Sequence, residues 1–367
     1  MNASASDFAF MARALQLARH GLFSAHPNPR VGCVIVAGGE VVGEGWHART
    51  GGPHAEAVAL AAAGERSRGA TAYVSLEPCC HQGRTPPCTA ALIAAGVRRV
   101  VYAAGDANPR VAGRGAAQLR EAGIEVLGGV LEAEARRLNI GFFSRMERGR
   151  PWVRVKLATS LDGRTALASG ESRWITGEAA RRDAHGLRAG SSVILTGVGT
   201  VLADDPALTV RRADLGDVLV PERVVLDSTL RTPAAAKLLQ PPGSSRIFCT
   251  RPDPDRAAAL RVAGAVIETV PGDGARPDLA AVMQRLAALE VNEVLVEAGA
   301  GLNGALLDAG LVDELVVYLA PVVLGGDAFG MFASRPLEGM AQRHAFEFAG
   351  LRRVGADLKL TYLPRRS

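Results

Sequence analysis

Between His54 and Cys88 the chain offers His54-Ala55-Glu56, then Pro78-Cys79-Cys80-His81, then Pro87-Cys88, and this stretch restricts its possible folds the most. One imidazole and two thiolates make a zinc set. Zinc takes nitrogen and sulfur donors in a tetrahedron, and a hydrolytic site keeps three protein ligands and leaves the fourth position to water. Glu56 lies two residues after His54, close enough to share the metal's surroundings without ligating it, so it reads as a proton carrier between that water and a substrate.

Local sequence predicts how such ligands meet. After Pro53 the run Ala55–Ala63 is nearly all Ala, Val and Leu without a breaker, which predicts a buried helix with His54 at its first turn. Residues 70–76 predict a strand ending at Glu77-Pro78, and 89–95 predict a second helix opened by Pro86-Pro87-Cys88. Two helix N-termini then converge on one strand end, and their partial positive charge favours thiolate at Cys79 and Cys88. Cys79, Cys80, His81 and Cys88 compete for the two places beside His54. Adjacent residues at a strand end diverge, so Cys79 and Cys80 do not ligate together, and Cys88 starts a helix as His54 does; Cys79 and Cys88 are the choice. A structural zinc knuckle and unliganded core cysteines are the plainer alternatives, and Glu56 counts against both. H-x-E followed by P-C and a further Cys matches the zinc nucleobase deaminases, although eight residues part these cysteines where two are usual.

At 367 residues the chain is long enough for two domains, and 48% hydrophobic with 22% charged residues describes an ordinary globular protein. A net charge of +5 suits anionic metabolites but is too small to argue for nucleic acid, and no window interleaves aromatics with Lys and Arg. Five cysteines, three of them clustered, are a poor disulfide framework and fit a reducing cytoplasm. No signal peptide and no membrane span are expected. Composition is compatible with a homo-oligomer without requiring one.

Strand and helix periods alternate throughout, which predicts an α/β protein. In the first half, strands are predicted at 31–36, 40–46, 70–76, 98–103 and 125–127, with helices at 7–20, 55–63, 89–95, 116–122 and 132–145. Residues 26–29 are too rich in proline for either element and read as a loop. Arg145, Arg148, Gly149 and Arg150 interrupt the apolar period before Pro151, so the domains are expected at 1–147 and 148–367. Strands follow at 152–157, 191–196, 223–226, 246–249, 266–270, 293–296, 315–319 and 358–362, with helices at 178–188, 255–262, 279–289 and 302–308. Gly299-Ala300-Gly301-Leu302-Asn303-Gly304 fits G-x-G-x-x-G at a strand-to-helix turn, where bare backbone N–H groups can approach a phosphate. It comes too late for a standard Rossmann domain, so the reading is dinucleotide binding on another topology, with an ordinary tight turn as the alternative.

The segment from Glu77 to Cys88 resembles the deaminase loop of the bifunctional riboflavin-biosynthesis deaminase/reductase family, whose longer loop accounts for the eight-residue spacing. His26-Pro27-Asn28-Pro29-Arg30-Val31-Gly32 resembles it too, as do Ser160 to Arg164, Gly170 to Ile175, Leu202 to Arg211 and Val296 to Gly299, so the likeness spans essentially the whole chain. The resemblance implies a cytidine-deaminase-like N-terminal domain followed by a dihydrofolate-reductase-like C-terminal domain, with Zn2+ and NADPH as cofactors and a phosphorylated pyrimidine as substrate. Carried over by position, Ala158, Trp174, Thr200, Asp204, Ser228 and the turn Gly299, Ala300, Gly301, Leu302, Asn303, Gly304 and Ala305 would bind cofactor. Asn28, Ser172, Arg188, Leu208, Arg211 and Glu297 would bind substrate, with the two arginines forking onto a ribose phosphate and Glu297 accepting from ribityl hydroxyls. Lys156 and Asp204 are candidates for protonating the opened sugar. The rival reading is a tRNA-type deaminase with an RNA-binding second domain, which the missing basic-aromatic patches disfavour.

Overall fold

Three glycines decide how the first sheet receives its helices. A Cβ at Gly32, Gly43 or Gly45 would overlap the carbonyl oxygen of Ala14, Ala59 or Ala55 respectively, so helix backbone lies directly against bare strand. The computed structural model describes residues 2–82, 86–273 and 275–365, which leaves Gly83, Arg84 and Thr85 of the expected deaminase loop outside the described residues.

Two units divide the chain, Met1–Gly149 and Arg150–Ser367. The first contains α1 (Ala5–Ala18), β1 (Gly32–Ala37), β2 (Glu40–Trp46), α2 (Ala55–Ala63), β3 (Thr71–Leu76), α3 (Cys88–Ala94), β4 (Arg99–Ala104), α4 (Arg114–Glu121), β5 (Glu125–Gly128), α5 (Glu132–Leu138) and α6 (Ile140–Arg148). Its sheet order is β2-β1-β3-β4-β5; β1 runs antiparallel to β2 and β3, whereas β3, β4 and β5 are parallel. Gly38 and Gly39, at φ 59° and 88°, make the β1–β2 turn. Alternate residues feed opposite faces: Val34, Val101 and Phe142 pack on one, Ile35, Val74 and Leu92 on the other.

The single helix predicted over 132–145 is two helices, α5 and α6. Asn139 breaks it, because its buried amide is committed to the backbone of Arg30: Oδ1 accepts the N–H at 2.7 Å and Nδ2 donates to the carbonyl at 2.9 Å.

The second unit holds β6 (Trp152–Thr159), β7 (Arg164–Ala166), α7 (Glu178–Ala189), β8 (Val193–Gly197), α8 (Val198–Asp204), β9 (Glu222–Leu226), β10 (Ser245–Cys249), α9 (Pro254–Val262), β11 (Ala265–Thr269), α10 (Leu279–Ala288), β12 (Glu293–Val296), α11 (Ala300–Asp308), β13 (Glu314–Leu319), β14 (Phe329–Gly330), β15 (Phe346–Val354) and β16 (Asp357–Pro364). Nine strands form one sheet in the order β11-β10-β9-β8-β12-β6-β13-β16-β15, parallel from β11 through β13, with β16 and β15 antiparallel at the edge. β7 and β14 pair apart as a short ribbon. The parallel strands read as continuous apolar runs because both faces are covered, by the cluster around Val153, Val294 and Val296 and by that around Val225 and Ile247. Edge strand β15 was not predicted: most of its residues are exposed, so its sequence carries no buried alternation.

Asp7 ties α1 to the first sheet. Its carboxylate accepts from Arg99 at 2.6 and 3.2 Å and from the Tyr73 hydroxyl at 2.9 Å, and Arg99 also reaches Glu125 at 2.8 Å. Burial pushes the Asp7 carboxyl upward, but bonds from Arg99, Ser4 and Tyr73 outweigh it and hold the group well below the usual carboxylate range. This stabilisation is therefore present above the unfolded carboxyl's pKa of about 4 and is lost as pH falls through the lower folded value. Asp7→Ala leaves the largely buried Arg99 guanidinium with Glu125 as its remaining partner and should lower the first unit's stability by about 2 kcal/mol in urea titrations; a loss under about 1 kcal/mol would refute this role.

Candidate functional site

His54 is the N-cap of α2, in extended conformation at φ −74° and ψ 161°, which turns its ring toward the end of β3. Cys88 is the first residue of α3, and that helix is hung on the strand end by Thr89, whose N–H donates to the Cys79 carbonyl at 3.1 Å. The convergence is tight. His54 Nδ1 lies 3.2 Å from Cys88 Sγ and 3.5 Å from Cys79 Sγ, and the three donor atoms all fall within 4.8 Å of one another. Cys80 lies outside this cluster and donates its thiol to the Arg110 carbonyl at 3.7 Å; His81 lies outside it as well.

Electrostatics support thiolate here. The Cys79 thiol is drawn well below its ordinary range by a hydrogen bond from Cys88, against burial and with help from His54 and the Cys88 N–H at 3.4 Å. Cys88 is pushed upward as the proton-holding partner, by that same bond and by burial. One nitrogen and two sulfurs this close, one of them drawn toward the thiolate form, fit a zinc ion with a place left for water. Glu56, 3% exposed in the first turn of α2, sits beside them, its carboxyl pushed up by burial and by the Cys79 charge while a bond with Cys88 acts the other way.

Around this cluster the structure adds residues that the sequence did not single out. Asn28 Nδ2 lies 3.0 Å from His47 Nε2, His47 Nδ1 lies 3.0 Å from the Pro53 carbonyl, and the His47 ring meets His54 edge-on at 5.3 Å. Asn28 is thereby brought to the metal cluster through His47. A histidine directly after the second strand was the available signal. Glu77, buried at the end of β3, accepts from the N–H groups of Asp106, Gly113 and Ala116 and fixes the loop that closes this side.

A second site lies in the other unit, at the C-terminal ends of the central parallel strands β6, β8 and β12, where doubly covered sheets bind ligands. The cavity measures about 570 Å3. Glu297 and Arg188 form a bidentate pair across it at 2.5 and 2.9 Å, and Arg188 Nη1 also donates to the Thr209 carbonyl at 2.9 Å. Burial pushes the Glu297 carboxyl up, but Arg188 and then Lys156 outweigh it and hold it at about 2. Lys156 is shifted down, by burial first and the Arg188 charge, with Glu297 opposing.

Of the positions expected to bind cofactor, Ala158, Thr200, Asp204 and Gly299 to Asn303 line this cavity; of those expected to bind substrate, Ser172, Arg188, Leu208 and Glu297 do. Trp174, Ser228, Gly304, Ala305 and Arg211 lie off its wall. Trp174 is exposed under the Arg181 guanidinium at 4.4 Å, Ser228 donates to the Ala275 carbonyl at 2.6 Å, and Gly304 packs against the Ala333 carbonyl where a Cβ would collide. Phe329, half exposed on the ribbon, also lines the cavity and carried no motif in the sequence. The glycine turn has the features of an anion cradle: Gly299 caps α11 without a side-chain bond, so its first-turn N–H groups are left without a side-chain acceptor, and a Cβ on Gly301 would meet nothing within 4 Å.

Comparison with known proteins matches residues 4–104 to the cytidine and deoxycytidylate deaminase zinc-binding region and residues 151–360 to the RibD C-terminal domain. Riboflavin biosynthesis protein RibD of Escherichia coli K12 is 50% identical over 368 residues, covering 96% of this chain and 98% of that protein. The Haemophilus influenzae protein of the same name is 45% identical, covering 99% and 98%. Among solved structures, Acinetobacter baumannii RibD, form 2, superposes with TM-score 0.90 at 44% identity, covering 98% of this chain and 99% of that one. A Thermotoga maritima diaminohydroxyphosphoribosylaminopyrimidine deaminase/5-amino-6-(5-phosphoribosylamino)uracil reductase does so with TM-score 0.86 at 32% identity, covering 98% and 99%.

The donor cluster makes a direct prediction about metal content. Cys88→Ser should strip zinc from the purified protein, because a hydroxyl does not ionise to replace a thiolate, whereas Cys80→Ser should retain about one zinc per chain by atomic emission. Loss from the Cys80 variant with retention in the Cys88 variant would reverse the assignment.

Proposed function

This chain belongs to the RibD family, and we propose that residues 1–147 form its deaminase domain and residues 148–367 its reductase domain. It is a bifunctional enzyme of riboflavin biosynthesis, in which a zinc-binding cytidine-deaminase-like domain precedes a reductase domain of dihydrofolate-reductase-like fold. The substrates are read as those in the description of the Thermotoga maritima relative: first diaminohydroxyphosphoribosylaminopyrimidine, then 5-amino-6-(5-phosphoribosylamino)uracil.

In the first step His54, Cys79 and Cys88 would hold zinc, which when bound supplies the Lewis acidity that makes water nucleophilic near neutral pH. The observation that carries this reading is the convergence of those three donors with Glu56 buried beside them. Glu56 takes a proton from the attacking water and returns it to the departing ammonia. Asn28, held by His47, orients the pyrimidine.

In the second step the cavity residues would hold NADPH, which when bound supplies the hydride for reducing the sugar carbon. The first turn of α11, Gly299 to Asn303, offers N–H groups to the cofactor phosphates, with Ala158, Thr200 and Asp204 along the same wall and Trp174, Ser228, Gly304 and Ala305 completing the cofactor set by family position. Ser172, Leu208 and the Arg188–Glu297 pair hold the phosphoribosyl part from the cavity wall, Arg211 joins them by family position, and Lys156 stands beside the pair to donate a proton. A nucleic-acid substrate is not favoured, since the second half matches the RibD C-terminal domain. We place the enzyme in the cytoplasm, in keeping with its five unpaired cysteines.

Glu56→Gln should retain zinc yet lower ammonia release by about 10²–10⁴-fold, while NADPH oxidation on the deaminated substrate stays at the wild-type rate. Near-normal ammonia release from the zinc-loaded variant would contradict the role. Gly301→Val places its side chain in open cavity space, so it should fold and raise the KM for NADPH about tenfold or more, leaving deamination intact. Unchanged NADPH binding by that variant would remove the glycine turn from the cofactor site.

A further inference from the structure

Helix α7 holds a stretch of backbone that has no strand partner. Residues 205–211 belong to no helix or strand, and Leu208 within them adopts φ 49°, in the left-handed region. Two side chains one helical turn apart on α7 reach this stretch. Arg188 donates through Nη1 to the Thr209 carbonyl at 2.9 Å, and His185 Nδ1 accepts the backbone N–H of Arg211 at 3.3 Å. Arg188 spends Nε and Nη2 on Glu297, so most of its donors are already committed. The Arg211 guanidinium, by contrast, is exposed and makes no hydrogen bond or ion pair among the described residues.

Only an unprotonated ring nitrogen can accept an N–H. The His185 pKa is lowered to about 4, by burial first and then by the charges of Arg188 and Arg211, with Glu297 and a hydrogen bond to the Thr209 backbone acting the other way. A neutral imidazole here tethers Arg211 and adds no competing charge beside a group meant to meet an anion.

We propose that His185 is a positioning residue of the reductase, whose Nδ1 fixes the Arg211 backbone and so aims the exposed Arg211 guanidinium at the phosphate of the substrate. This rests on the reading of Arg211 as substrate-binding. Arg188 then acts mainly by holding Glu297 and Thr209, a different task from forking onto the phosphate.

The test uses the full-length enzyme and NADPH oxidation with 5-amino-6-(5-phosphoribosylamino)uracil, comparing His185→Leu, His185→Asn and Arg211→Met. Leucine removes the acceptor; asparagine puts an amide oxygen close to where Nδ1 stood. The expected result is a KM for that substrate raised about 3–10-fold in His185→Leu, the value of one hydrogen bond, with kcat and the KM for NADPH near wild type and with recovery in His185→Asn. Arg211→Met should raise the same KM at least as much. If Arg211→Met raises KM but His185→Leu does not, the positioning role is overturned and the reading of Arg211 stands. If neither moves KM, the reading of Arg211 falls and the inference with it. Equal losses of kcat and KM in the leucine and asparagine variants, with ammonia release intact, would mark His185 as merely structural and also overturn it.

Discussion

Everything in the first unit follows from bringing two helix N-termini to the end of one strand. Helix α2 can lie against β2 only because Gly43 and Gly45 present no side chain, and this places His54 and Glu56 at a fixed depth. Helix α3 is held at the same strand end by the bond from Thr89 to the Cys79 carbonyl, and Glu77 gathers the neighbouring loop through three backbone N–H groups. A side chain at either glycine would push α2 outward by more than the few tenths of an ångström that a ligand set tolerates. The N-terminal partial charges then do a second task, since both favour the anionic sulfur that zinc requires.

The second unit solves a different problem with related physics. Its cavity opens where β6, β8 and β12 end, so strand-end residues Lys156 and Glu297 face each other across a small space, with Arg188 arriving from α7. Two of these charges, Arg188 and Glu297, satisfy each other through a bidentate bond, and Lys156 adds its charge beside them. Arg188 also anchors Thr209, so the electrostatics of the cavity shape the loop at 205–211.

The metal cluster was legible because its constraints are local: Pro53, the alanine-rich run after it and Pro86-Pro87 announce two helix starts, and ligand chemistry leaves few choices. Parallel strands such as β8, β9 and β12 were equally visible as short apolar runs. What escaped were features decided by distant contacts. Asn139 breaks a good helical sequence only because Arg30 waits more than a hundred residues away. His47 looks like any strand-end histidine until the fold sets it between Asn28 and His54. Edge strand β15 and the β7–β14 ribbon bury too little for an alternating pattern. The pairing of Arg188 with Glu297 was not legible, because it joins two segments whose proximity no local rule supplies.

The central claim is that one polypeptide carries out both steps, each in its own unit. It is tested most directly by supplying the zinc-loaded full-length enzyme with diaminohydroxyphosphoribosylaminopyrimidine and NADPH and following ammonia and NADPH together. The account predicts ammonia release first and then NADPH oxidation in equal amount, with no NADPH oxidised when zinc is withheld unless the deaminated compound is added. NADPH oxidation that proceeds without prior ammonia release, or ammonia release that never leads to NADPH oxidation, would contradict it.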